Sequence, residues 1–191
     1  RGKHKMGLFQ IWKSVMFDPI NFYGKLSKKD MYAEATKYFL KVQAIITVIT
    51  LVLVGLIIAG LSKGVGNLRY IVLGLIIIYP ILLLFSWGML YVSTGIIHLF
   101  VLMFGGKKGY PETFKVLAYS ISPTIFAMIP FIGYAATLYS LILQIMGIRE
   151  RQKMSLGKSI AIVLIPAFII MAIVILLYGI FIAPKLPGLM S

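Results

Sequence analysis

Four long runs without a charged residue, 42–62, 70–106, 116–148 and 159–184, hold nearly all the apolar side chains of this 191-residue chain. Each matches or exceeds the ~20 residues that carry a helix through a hydrocarbon core about 30 Å thick. A stretch such as 45–59 is apolar on every face, whereas an outer-membrane barrel strand alternates polarity over about ten residues. The runs therefore predict an all-α, polytopic membrane helical bundle. Composition agrees, with 60% hydrophobic residues against about 45–50% in soluble domains. The first run follows a long stretch of mixed polarity rather than a short basic leader with a cleavage site, so it is expected to stay in the mature chain. No cysteine is present, which removes disulfides, thiolate metal sites and thiol chemistry.

The cations set the orientation. Of 19 Lys and Arg, all but Lys63, Arg69 and Lys185 lie in three groups: before the first run, between the second and third (Lys107, Lys108, Lys115), and after the third (Arg149, Arg151, Lys153, Lys158). If the third run is a helical hairpin, the chain crosses five times and the three groups share one side. The positive-inside rule then predicts a cytoplasmic N-terminus and an outer C-terminus. The same topology puts all five carboxylates inside with sixteen cations, leaving +11 there against +3 outside.

At 1.5 Å per residue the second run would make a rod of about 55 Å. Splitting it by a turn near Ser86-Trp87-Gly88 would scatter the cations over both sides, so a single long helix is predicted, tilted or bent near Pro80. The third run is interrupted by Pro123, Pro130 and Gly133. Its two arms are each about 22 Å long if helical, and both a full crossing and a re-entrant hairpin keep their ends on one side. The expected helices cover about 31–61, 69–104, 112–131, 134–148 and 157–183, within one membrane domain at 31–191. Ahead of it, residues 1–30 read as an amphipathic cytosolic surface segment. Leu8, Phe9, Ile11, Trp12, Val15 and Met16 recur there at helical spacing until Asp18-Pro19 ends the helix. That apolar face suits the headgroup boundary or the protein's own helices equally well.

The formal charge of +14 sits mostly at membrane boundaries, which makes anionic lipid the nearer partner and argues against nucleic acid. Lys13, Lys107, Lys108, Arg149, Arg151 and Lys153 are the candidate headgroup ligands. No Asp, Glu, Lys or Arg falls within the membrane core of this topology, which weighs against an ion-coupled carrier. The candidate residues of a cavity between the long second helix and the hairpin are Tyr91, Thr94, His98, Tyr119, Ser120, Pro123, Tyr139 and Gln144. Tyr91, Thr94 and His98 share one helical face, as a polar track or as interhelical hydrogen-bonding groups. Ser120 has no sequence partner for nucleophilic catalysis, and Gly105-Gly106-Lys107-Lys108 lacks the spacing of a phosphate loop. No catalytic residue, metal or cofactor is expected.

The stretch from Gly105-Gly106-Lys107-Lys108-Gly109-Tyr110-Pro111-Glu112 to Tyr119-Ser120-Ile121-Ser122-Pro123 resembles the central signature of the Yip (Ypt-interacting protein) domain family, a glycine-containing cytosolic loop leading into an aromatic-Ser-x-x-Pro element. Pro130-Phe131-Ile132-Gly133, Tyr139, Met146-Gly147-Ile148 and the opening Trp12 to Pro19 and Phe22-Tyr23 extend the resemblance over nearly the whole chain. The resemblance implies a five-helix integral membrane protein; eukaryotic relatives serve vesicle traffic and bind prenylated Rab GTPases, and this chain is similar to prokaryotic-type members. Two functional readings follow. One is a non-enzymatic scaffold or membrane-organising component of the cell membrane, acting through its basic cytoplasmic face with a protein partner or a second copy. The other is a transporter, channel or lipid-moving protein that uses the cavity beside the hairpin.

Overall fold

A computed structural model describes residues 6–27, 32–61 and 68–181. Seven α-helices follow one another: α1 (Leu8–Phe17), α2 (Pro19–Lys25), α3 (Ala33–Leu61), α4 (Leu68–Met103), α5 (Tyr110–Ser120), α6 (Ile132–Gln152) and α7 (Leu156–Phe181). A short 3-10 helix, Ser122–Phe126, joins α5 to the turn before α6. Among the described residues there is no strand.

The Gly7 N–H donates to Gln10 Oε1 at 3.1 Å and closes the start of α1. Asp18 ends it, because Pro19 occupies the first turn of α2 and disfavours helix at the residue before it. One side of α1 packs inward through fully buried Val15, while Phe9 and Phe17 are 70% and 73% exposed. The helix thus uses its apolar residues in two directions. Residues 19–25 correct the expected surface segment: they form α2, whose Phe22 and Tyr23 lie inside the protein, Tyr23 with no exposed surface. A helix of seven residues is too short to show a periodic pattern in sequence.

Among the described residues, four helical stretches are long and apolar enough to cross a membrane: Ala33–Ile58, Val72–Met103, Ile132–Gln152 and Leu156–Ile180. α4 runs for 36 residues straight through Pro80. The span expected at 112–131 is not among the four, since α5 stops at Ser120 and the chain tightens into the 3-10 helix around Pro123. Proline has no N–H to continue an α-helical ladder and clashes with the turn before it. The reversal that follows depends on Gly133, whose N–H bonds the Ile129 carbonyl at 2.8 Å. A Cβ there would lie 2.3 Å from the Ala127 carbonyl oxygen. α6 then runs on past 148 to Gln152, because Arg151 and Gln152 find partners inside the fold.

The core lies toward one end of the bundle. Val15, Tyr23, Phe114, Val116, Leu143, Ile148, Ile162 and Val163 fill it, drawn from α1, α2, α5, α6 and α7. Toward the other end the described residues are mostly exposed. In α7 every residue from 167 to 180 is exposed, and in α3 beyond Thr47 only Gly55 is buried among those described. The hairpin reaches just partway along α3: Thr50 Oγ1 points at Met128 Sδ, 3.6 Å away. Thr50 is still eleven residues short of the α3 end at Leu61, about 16 Å at the helical rise. One half of the body is therefore built from parts of all seven helices, and the other from α3, α4 and α7 alone.

Candidate functional site

The first polar group at the broad end centres on Glu112, in the first turn of α5. Its carboxylate accepts from the Arg151 guanidinium and from Lys115 Nζ, the latter at 3.1 Å. Arg151 Nη1 also donates to the carbonyls of Tyr23 (2.9 Å) and Leu26 (3.0 Å), and Lys115 Nζ to that of Ser27 (2.9 Å). These carbonyls at and just beyond the end of α2 have no next turn to pair with, and cations suit the negative end of a helix. Two cations and one carboxylate thus tie α5, α6 and the end of α2 together. Arg151 corrects the headgroup assignment, since its side chain is only 6% exposed. Above it, Tyr23 donates to the Val116 carbonyl at 3.4 Å. Burial, reinforced by the nearby Tyr38, Tyr119 and Tyr139 hydroxyls, pushes its ionisation well above the ordinary tyrosine value.

A second group binds α4 to the loop and to α6. Gln152 Oε1 accepts the Lys108 N–H (3.1 Å), while its Nε2 donates to the Gly109 carbonyl (3.1 Å) and to Thr113 Oγ1 (3.0 Å). The same Thr113 hydroxyl meets His98 Nδ1 at 2.9 Å. Tyr110 donates to the Tyr91 carbonyl (2.9 Å), and the Tyr91 ring packs on Phe114. Buried Thr94 bonds back to Leu90 O at 2.6 Å. Tyr91, Thr94 and His98 therefore pack α4 against α5 as interhelical and intrahelical bonding groups, and they do not line a common track.

Ser122 holds the third group. Its hydroxyl donates to the Tyr119 carbonyl (2.6 Å), so the contact with Tyr38 at 2.6 Å has Tyr38 as donor. Trp12 Nε1 donates to the Ser122 carbonyl at 3.0 Å, and Tyr139 donates to the Met16 carbonyl. These bonds fasten α1 along the hairpin. Tyr119 meets Phe22 edge to face and Tyr38 at a tilt, and Pro123 is buried. Glu112 and Ser122 stand out in sequence only as members of the stretch from Gly105 to Pro123, and nothing there marks Tyr38 or Gln152.

A lateral cavity of about 390 Å³ lies between α3, α4, the end of α5 and α6. Gln43, Ser86, Ser93, Ser120, Thr124, Ser140 and Gln144 line it, with Phe39, Phe85, Met89 and Leu90. Of the cavity residues expected from sequence, Ser120 and Gln144 are there; Tyr91, Thr94, His98, Tyr119, Pro123 and Tyr139 are not. Ser86, Ser120, Thr124 and Ser140 donate to carbonyls of their own segments at 2.7–3.2 Å. The side chains of Gln43, Ser93 and Gln144 make no hydrogen bond among the described residues. A second cavity, about 380 Å³, opens near Glu112 and mixes Lys108 and Lys153 with Glu150. Lys13, Lys107, Lys108, Arg149 and Lys153 are exposed, Lys153 beside Glu150 at 3.5 Å.

The family model described as Yip1 domain matches residues 13–178. No curated protein and no solved structure matches the chain.

Proposed function

The chain belongs to the Yip1 domain family, and from that premise we propose that it is a non-enzymatic, multi-pass component that organises the membrane through an unequal cross-section and a basic cytoplasmic face. In this reading α3, α4 and α7 cross the bilayer, the N-terminus is cytoplasmic, and α5 and α6 enter and return on the cytoplasmic side. The hairpin tip beside Thr50 supports the last point. A protein broad in the cytoplasmic leaflet and slender in the outer one fits best where the cytoplasmic leaflet is expanded. The observation that carries the proposal is this one-sided breadth.

Charge adds to shape. Arg151 and Lys115 are turned inward onto Glu112 and backbone carbonyls, so the lipid-facing charge falls to exposed residues such as Lys13, Lys107, Lys108 and Arg149. Each cation near an anionic surface contributes about 1 kcal/mol, less at high salt. Detergent-held protein added to vesicles of graded diameter and anionic content tests both elements. Preferential association with small anionic vesicles, weakened by salt, is expected; indifference to diameter and charge overturns the proposal.

The lateral cavity favours a second reading, lipid movement between leaflets. Scrambling of headgroup-labelled lipid in proteoliposomes, reduced by Ser120→Phe, supports it, and absence of scrambling removes it.

A further inference from the structure

The cavity's depth narrows what it can hold. Gln144 stands eight residues before the end of α6 at Gln152, and Gln43 ten residues after the start of α3 at Ala33. At the helical rise these are about 12 and 15 Å below the cytoplasmic ends of their helices. The first turns of α3 and the last of α6 carry Lys37, Lys41, Arg149 and Glu150 and stand in water, so the two amides fall near the zone where headgroup and glycerol give way to acyl chain, an interface of about 5–8 Å on each side of a ~30 Å core. The wall changes character at the same place. Gln43, Ser93 and Gln144 present unpaired amides and a hydroxyl, whereas Leu90, Met89 and Phe85, deeper along α4, are apolar.

An amide facing hydrocarbon without a partner is unfavourable by several kcal/mol. Every described buried polar side-chain atom has a hydrogen-bond partner in this protein. The unpaired amides of Gln43 and Gln144 are thus accessible groups that open onto the cavity. Its volume of about 390 Å³ lies in the range of small-ligand sites, roughly 300–1,000 Å³. Exposed Phe85 and Met89 among the lining make it open sideways, toward lipid in the membrane placement proposed above.

We propose that this cavity is a binding site for an ester-linked glycerolipid of the cytoplasmic leaflet. The amide N–H groups of Gln43 and Gln144 donate to its ester carbonyls, and the start of one acyl chain lies along Leu90, Met89 and Phe85. The proposal rests on the membrane placement and is independent of the curvature preference. Two amides at one depth match the paired ester carbonyls of a diacyl lipid better than they match a single alkyl detergent.

The test uses full-length protein in proteoliposomes containing a diacyl glycerolipid with a photoreactive diazirine near the carbonyl end of one chain. Cross-links are mapped by peptide mass spectrometry. Labelling concentrated on the α3 and α4 segments around Gln43 and Leu90 is expected, against a weak uniform background on the far half of α7 around Phe168. The double variant Gln43→Leu, Gln144→Leu, which remains compatible with a lipid-facing surface, should lower the cavity labels about tenfold while leaving the α7 background unchanged. Ser93→Trp, which fills the cavity, should do the same. Cavity labels no stronger than those on α7, or unchanged in both variants, overturn the site. A cysteine at Lys107, in a chain without native cysteines, separates the two failures. Reaction only with cytoplasmic-side reagent while cavity labels are missing sinks the lipid site alone; reaction from the outer side sinks the membrane placement and the site with it.

Discussion

Arg151 and Glu112 meet across 39 residues of chain, and the same guanidinium closes the end of α2 by donating to the carbonyls of Tyr23 and Leu26. One side chain thereby holds three helices at the basic end. Both members of the pair are largely buried; removing Glu112 strands two cations, whereas removing Arg151 leaves Glu112 with Lys115.

For that reason Glu112→Gln, which leaves Arg151 and Lys115 without their carboxylate, should lower stability by about 3–5 kcal/mol, the usual loss when one partner of a buried pair is removed. Arg151→Met should cost less, since Lys115 still faces Glu112. Adding Arg151→Met and Lys115→Met to Glu112→Leu, so that no charge is stranded, should recover part of the loss. Thermal melting in mild detergent measures it, and additive losses in the combined variant would contradict direct coupling.

Gly147 sets the approach of α6 to α5 and α2. A Cβ at this position would lie 2.6 Å from Val116 Cγ1 and 3.0 Å from Tyr23 Cζ. Gly147→Ala should therefore destabilise by about 1–3 kcal/mol through overpacking. Adding Val116→Ala, which removes the nearer methyl groups, should return part of that stability, and the same melting experiment reads both.

Trp12 and Tyr139 fasten α1 to the hairpin by separate hydrogen bonds. Trp12→Phe keeps a ring beside Phe126 but removes the indole N–H, and Tyr139→Phe removes the bond to Met16. Each bond contributes about 1 kcal/mol, so local opening of α1 should become roughly fivefold more frequent in either variant. Exposed Lys13 reports this through its rate of tryptic cleavage. Equal rates in wild type and both variants would mean that α1 is held chiefly by Val15 and the ring contacts.

How much of this was legible in sequence depended on whether a residue's role was local. α4 could be read as one helix because its apolar run is unbroken and its flanking cations reject a split. The passage of 112–131 from α-helix into 3-10 helix could not, because an apolar residue looks the same in either; Pro123 and Pro130 announce an interruption without locating it. Ser120 and Gln144 stood out as polar groups in an apolar run, and both line the cavity. Tyr91, Thr94 and His98 also shared a face by spacing, yet Thr94 bonds back to Leu90 of its own helix, the Tyr91 carbonyl accepts from Tyr110, and His98 meets Thr113 only through packing. Arg151 shows the limit most directly. In sequence a cation beside a membrane segment reads the same whether it faces headgroups or a carboxylate 39 positions away.

That distinction separates the basic residues into two groups with different expected behaviour. Lys107 and Lys108 are exposed in the loop between α4 and α5, so Lys107→Gln with Lys108→Gln should weaken association with anionic vesicles while leaving the melting temperature unchanged. At about 1 kcal/mol per cation, the loss is roughly tenfold or more at low salt, and it should shrink as ionic strength rises because exposed charges are screened within about 10 Å at 0.1 M. Arg151→Lys should do the reverse. It keeps the charge but loses the planar fork that serves Glu112, Tyr23 and Leu26 together, so melting falls while vesicle binding by the folded protein stays as it was. Sedimentation with vesicles of stepped anionic content, paired with melting curves, distinguishes the two. Equal loss of vesicle binding in both sets of variants would show that the buried pair opens at the membrane surface.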